Sequence, residues 1–499
     1  MGAGVAETSV GGRRPGLVTV VVPAYNIERY VVECLDSVLA QTAVSDITLI
    51  VIDDGSTDGT PEAVAQVSAR EPRVRLVRQT NQGPGPGAAR NHGLDLVTTE
   101  YVMFCDGDDQ LTPTAVERLR DGLERSGLDL AVGASEQFPE PRTWLWTPYF
   151  VPGVTSEVSI EDVPLLAHNA ASSNKMFRTA ALRASGRRFA EGIHHQDTVV
   201  TVTSMVTSQR LVLVGDVVHR YRKRPEGGSI MDSHYTRLDN FWDHLKVIET
   251  LGAELDAVAP ARRPLLEAFI ARSFQGFAWR APTSLPADRQ SEFFQRTRAV
   301  VGRLSPEVLL LATRDATERA AYVTMLEDDL GSFRHLPTLL ERLVAHDGHL
   351  YLDVPTSSVE RRELLRLGRT RAHATGLSAS RTEISFDLAV RVQGALRLAE
   401  ALEGVQVQLR REVDAEPVTR PVQLHPGPGH DLVSRVCVSR PALVSGSYEL
   451  RLVFATTTGR SGRWVRRPRG AIEERVRLPW SSRHLVLTER DERALLIVP

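Results

Sequence analysis

The side chains best able to do chemistry follow short apolar runs and are small or acidic. They are Pro23-Ala24-Tyr25-Asn26, then Asp53-Asp54-Gly55-Ser56-Thr57-Asp58, then Asp106-Gly107-Asp108-Asp109. Carboxylates grouped around a glycine at a strand end either cap a turn or bind a divalent cation. Asp favours turns and helix N-caps, and its hard oxygens suit Mg2+ or Mn2+. In an extended segment Asp106 and Asp108 project to the same side, as ligands of one cation with a substrate diphosphate would. In IDDGSTD, Ser56 or Asp58 can cap the next helix with Pro61 in its first turn, an account that leaves Asp53 and Asp54 unexplained.

Positioning these groups requires a sheet. The runs LVTVVVPAYN, ITLIVIDD, VRLVRQ and YVMFCDGDD have the continuous Val/Ile/Leu character of strands covered on both faces. Amphipathic stretches such as ERYVVECLDSVLAQ and DGTPEAVAQVSA connect them, so residues 17–233 read as a mostly parallel α/β sheet. Such sheets bind ligands beyond the carboxyl ends of their strands, where the acidic segments fall. Over 234–347 the period becomes helical, with Phe241, Leu245, Ile248 and Leu255 on one face, which predicts a helical linker segment. Over 348–499 the period drops to two, as in Ile384, Phe386 and Leu388, and turns such as HPGPGH intervene, which predicts a β-sandwich. Residues 1–16 read as a disordered tail.

Composition excludes several classes. Sixty basic against sixty-two acidic residues leave a net charge of -2, too little field to hold a nucleic acid. Three cysteines in 499 residues rule out a disulfide framework and fit a reducing, cytoplasmic compartment. No run reaches the ~18 apolar residues a spanning helix needs, so any meeting with a membrane is expected at the inner surface. Lys175 stands out because the chain writes nearly every cation as arginine, with only Lys223 and Lys246 besides it. A compact ammonium inside SSNKMFR suggests contact with phosphates or the acceptor. The run Gly83-Pro84-Gly85-Pro86-Gly87 formally fits a dinucleotide fingerprint. Pro84 and Pro86, however, lack the N–H groups of a diphosphate cradle, and the first βα turn carries PAYN instead. His194 and His195 have no cysteine near them, so zinc is not expected, and they are read as facing the sugar or acceptor.

VVPAYN, VIDDGSTDGT, NQGPGPGAARNHGL and FCDGDD, in this order, resemble glycosyltransferase family 2, and the resemblance extends through SSNKMFR, EGIHHQD and HRYRKRPEGGSI. It implies a glycosyltransferase-A nucleotide-sugar-binding domain over 17–233. The domain order is most similar to that of wall teichoic acid glycosyltransferases. Carried onto this sequence, the resemblance implies that Pro23 and Tyr25 line the base pocket and that Asp54 accepts a hydrogen bond from uracil. It also implies that Arg90 approaches the base or diphosphate and that Asp106 and Asp108 form the D-x-D motif, Asp108 as the metal ligand. Asp197 matches the general base, its alternative being a helix N-cap. His219 either completes the metal shell or is a strand-edge residue. Arg222, Arg224 and Ser229 sit on a Gly-Gly loop able to close over diphosphate.

The resulting expectation is a metal-dependent (Mn2+ or Mg2+) inverting transferase moving a sugar from a UDP-sugar to a hydroxyl of a cell-envelope polyol-phosphate polymer. The alternatives are a peptide or secondary-metabolite acceptor, or an inactive sugar-binding module. The C-terminal domain is expected to capture acceptor or to build a homo-oligomer, a trimer.

Overall fold

The computed structural model describes residues 17–224, 237–313 and 316–339 without interruption and, from 343 onward, the 349–367 segment and most strands. The expected tail 1–16 and Ser229 lie outside the described residues. The chain divides into two compact units, Met1–Ile270 and Ala271–Pro499.

In the first unit, strands β1 (Val18–Ala24), β2 (Ile47–Asp53), β3 (Val74–Arg78) and β4 (Tyr101–Phe104) are joined by helices α1 (Val31–Leu39), α2 (Thr60–Arg70) and α3 (Gly87–Leu96). After them come β5 (Gln110–Leu111), α4 (Ala115–Ser126), β6 (Leu130–Phe138), β7 (Thr155–Val158), β8 (Lys175–Arg178), α5 (Thr179–Ala184), α6 (Thr198–Thr207), β9 (Leu211–Arg222) and α7 (Leu238–Glu254). The sheet order is β3-β2-β1-β4-β8-β6-β9-β5, with β7 on β9. β3, β2, β1 and β4 run parallel. β8 enters antiparallel between β4 and β6, so the sheet is mixed rather than mostly parallel.

Burial follows position in this order. Every residue of β1 and β4 is buried, as central strands covered by helices must be. β3 lies at the edge and is buried only at Val74, so its apolar run is half exposed, unlike the other three. The core beneath the helices is formed by Val20, Val22, Leu35, Val51, Met103 and their neighbours. Burying each such side chain stabilises by about 1.5–3 kcal/mol, enough to hold the strand ends in fixed register.

The second unit carries helices at Ala287–Val301, Pro306–Ala312 and Ala316–Leu326 around Phe293, Phe294 and Tyr322, whose hydroxyl donates to Ala271 O at 2.7 Å. Strands follow. Glu383–Val392 pairs antiparallel with Thr370–Ala379 and Leu432–Ser439, burying Ile384, Phe386 and Leu388. Gln406–Arg411 pairs antiparallel with Gly446–Thr456 and buries Val407 and Leu409. Among the described residues no helix is long and apolar enough to cross a membrane.

Candidate active site

Parallel register brings the ends of β1, β2 and β4 together. Asp54 N–H donates to Ala24 O and Cys105 N–H to Val21 O, at 2.9 and 3.0 Å, so the residues after each strand share one edge. There they line a crevice of about 630 Å³ together with the 83–86 turn, the 194–197 loop and Arg224.

One end of the crevice is built for a planar, hydrogen-bonding group. Tyr25 is half exposed beside Pro23, and Asp54 is buried with Oδ1 accepting from Gln79 Nε2 at 2.8 Å. Burial raises the pKa of Asp54, against the Gln79 hydrogen bond. Asp53 does not reach the crevice. Its Oδ1 accepts from Ser56 N–H at 3.2 Å and its Oδ2 from Arg78 Nε at 3.2 Å, so it holds the turn. Ser56 and Asp58 also act locally, accepting from Asn26 N–H and Thr60 N–H at 3.0 Å each. This local role leaves Asp54 as the carboxylate of IDDGSTD that faces the crevice.

In DGDD the three carboxylates differ. All three border the crevice, but only Asp106 and Asp108 are not taken up by His219. Asp106 is ion-paired with Arg90. Asp108 Oδ2 accepts from Arg224 Nη2 and Nε at 2.6 and 2.8 Å. Burial raises the pKa of Asp108, offset by the Arg224 charge, so this carboxylate gains from any further cation. Asp109 is structural. Burial lifts its pKa to about 6 against the pull of His219, and it accepts from His219 Nε2 at 2.8 Å and Arg222 N–H at 2.7 Å.

Several expected contacts lie behind the wall instead. Arg90 is 1% exposed, bridges Asp106 to Gln196 Oε1 at 2.6 Å and does not line the crevice. His219 has both ring nitrogens engaged, Nε2 with Asp109 and Nδ1 with Ser135 Oγ at 3.2 Å, and does not line the crevice. Arg222 donates to Asp108 O and Glu33 Oε2 at 2.7 Å each and stacks over Phe138 and Tyr30, buttressing the DGDD loop. Lys175 is fully buried, its ammonium surrounded by the oxygens of Asn169, Ala171 and Asn174. Desolvation lowers its pKa to about 7, against the pull of Asp197. Lysine's compact charge is used here to tie a loop rather than to touch phosphate.

Asp197 occupies the N-cap position of α6, yet its side chain makes no capping hydrogen bond. It faces the crevice with its pKa raised by burial, opposed by Arg90 and Lys175. A carboxylate relieved of structural duty and biased toward holding a proton is suited to general-base work. Among the described residues no group of three or more His, Cys, Asp or Glu side chains is arranged as a metal cage. Asp106 and Asp108 therefore offer a two-carboxylate donor set, which suits an ion that keeps waters and substrate oxygens in its shell.

The glycine run is a packing device. A Cβ on Gly85, whose φ is +77°, would collide with Ile193 O, and one on Gly87 with Ala190 O. The 83–87 turn thus abuts the loop that carries Asp197. Gly85→Ala should cost about 1–2 kcal/mol from φ alone, more from the collision, and should lower both melting temperature and turnover. An unchanged melting curve by circular dichroism would show that the two loops are not in contact. Gln79 escaped the sequence reading; its only signal was its place next to a strand end.

The family model described as Glycosyl transferase family 2 matches residues 19–186. The glycosyltransferase GlyA of Streptococcus pneumoniae is 27% identical over 267 residues, which is 51% of this chain and 38% of that protein. The poly(ribitol-phosphate) beta-glucosyltransferase of Bacillus spizizenii is 24% identical over 262 residues, 52% of this chain and 40% of that protein. The chain thus spans well under half the length of these two relatives. TarS of S. aureus superposes with a TM-score of 0.60 at 17% identity, covering 96% of this chain and 84% of TarS. Its 1–349 fragment in complex with UDP-GlcNAc gives 0.58 at 20% identity, covering 68% of this chain and 97% of the fragment. At those identities the likeness concerns the fold. Residues 19–186 thus match glycosyltransferase family 2, and the α/β core they build has the glycosyltransferase-A-like fold shared with TarS.

Proposed function

We propose that the protein transfers a sugar from a UDP-sugar to a hydroxyl of a cell-envelope polyol-phosphate polymer, with inversion and with Mn2+ or Mg2+. The observation that carries this reading is the lining of one crevice by Tyr25 and Asp54, by Asp106 and Asp108, and by Asp197. These groups suit a nucleobase, a diphosphate and an acceptor hydroxyl in turn. The UDP-GlcNAc bound by the similarly folded TarS fragment and the substrate named for the B. spizizenii relative support the donor and acceptor classes.

In this reading Tyr25 stacks on uracil and Asp54 accepts from its N–H, while Arg224 approaches the diphosphate. Asp106 and Asp108 would hold the divalent cation, which supplies charge neutralisation to the leaving diphosphate. Asp197 takes the proton from the acceptor hydroxyl as its oxygen attacks the anomeric carbon from the face opposite the phosphate, so configuration inverts. The leaving group is UDP.

Tyr25→Ala and Asp54→Ala should weaken UDP binding by about tenfold each, the scale of one lost stack or hydrogen bond, with less effect on turnover of bound donor. Calorimetric titration with UDP checks this; unchanged affinity in both variants would move the nucleotide elsewhere. The function itself is tested by mass spectrometry of products from a panel of UDP-sugars offered with ribitol- or glycerol-phosphate oligomers. A glycosylated peptide or small metabolite in place of the oligomer would change the acceptor class. No transfer and no hydrolysis with any UDP-sugar would sink the proposal. Light scattering of the full chain should give the mass of a trimer.

A further inference from the structure

Helix α7 lies beyond the matched family segment and supports two consecutive histidines of the base loop. Asp243 Oδ2 accepts from His194 backbone N–H at 2.9 Å and meets His194 Nδ1 at 2.8 Å, and both residues are buried. The His244 ring packs edge-on against His195 at 4.7 Å. His195 itself has φ +58°, a left-handed conformation that non-glycine residues rarely adopt. Such conformations persist where the surroundings over-determine them, and they cluster at ligand sites. Immediately after this reversal come Gln196, the partner of Arg90, and Asp197.

Anchoring the loop would require only the backbone hydrogen bond. The second bond, from the ring, fixes an orientation as well. Oδ2 already accepts from the His194 backbone N–H, and a second donor is needed for the short contact to Nδ1, so the geometry favours the tautomer in which Nδ1 carries the hydrogen. In the neutral tautomer this leaves Nε2 as the unprotonated nitrogen. His194 lines the crevice beside Asp197, and its hydrogen bonds among the described residues run through its backbone N–H and Nδ1, both to Asp243.

We propose that Asp243 is a positioning residue that holds His194 as the Nδ1–H tautomer, so that Nε2 accepts a hydrogen bond from a substrate hydroxyl. This deepens the transferase reading and rests on it for the identity of the hydroxyl, which belongs either to the transferred sugar or to the acceptor. His194 is then a specificity-determining contact. A substrate lacking that hydroxyl leaves Nε2 without a partner in a crevice partly closed to water.

The test has two independent readouts. In full-length protein labelled with 15N-histidine, the signal that disappears in His194→Gln should show a protonated Nδ1 and an acceptor-type Nε2. In Asp243→Ala that signal should shift to the Nε2–H form, whereas Asp243→Asn, whose amide oxygen can take the same two bonds, should retain the wild-type tautomer. An Nε2–H ring in the wild type, or a tautomer indifferent to Asp243→Ala, overturns the pairing. This result does not depend on sugar transfer, so it stands apart from any failure of the proposed activity. Kinetically, His194→Gln and Asp243→Ala should each lower kcat/KM about tenfold, with UDP affinity unchanged. A rise in the KM for the UDP-sugar alone assigns the hydroxyl to the sugar, and a rise in the acceptor KM alone assigns it to the acceptor. With folding shown intact by a wild-type melting curve, no change in either KM or in kcat/KM overturns the substrate contact.

Discussion

Asp197→Asn should lower glycosyl transfer by ~10²-fold or more, the range for loss of a general base, while UDP affinity stays within about twofold. The substitution preserves shape and removes the ability to accept a proton. Since Asp197 makes no capping hydrogen bond in α6, helix stability should not change with it. A pH profile gives the sharper check. Burial raises the pKa of Asp197, with Arg90 opposing, so the base is lost to protonation at a pH above the ordinary aspartate value. Wild-type kcat/KM should therefore fall as pH drops through that raised pKa, and the Asn variant should lack that limb. An equal loss of UDP affinity in the variant would mean that Asp197 serves the donor instead.

Asp108→Ala should retain less than about a tenth of wild-type turnover, and EDTA should abolish activity that Mn2+ or Mg2+ restores. The alanine removes a crevice-facing carboxylate and also releases Arg224, which would be left as a cation without its partner near the diphosphate. Nucleotide binding can consequently survive while turnover collapses. Turnover above a tenth, or indifference to EDTA, would refute the two-carboxylate metal site.

Asp54, Asp108 and Asp197 were legible in the sequence because each follows a strand or opens a helix, and local order alone delivers it to the crevice. Arginine is less readable. Arg90, Arg222 and Arg224 belong to the same residue type, yet only Arg224 lines the crevice, because partners far away in sequence decide where a guanidinium goes. The 90-to-196 and 222-to-33 contacts are invisible to periodicity. The same limit hid β8: SSNKMFR reads as a motif, and only register reveals that Lys175–Arg178 is an antiparallel strand splitting two parallel sets. Asp243 was out of reach for that reason too, arriving from a helix 49 positions beyond its partner.

The guanidinium of Arg90 lies between the Asp106 carboxylate and the Gln196 amide, next to the proposed base Asp197. Its field thus acts on both Asp106 and Asp197. In the proposed reading, a donor that drew Asp106 away from Arg90 would leave more of that positive potential on Asp197 and would favour its ionised form. The kinetic counterpart would be compulsory order, with the nucleotide sugar binding before the acceptor, which initial-velocity and product-inhibition patterns would check.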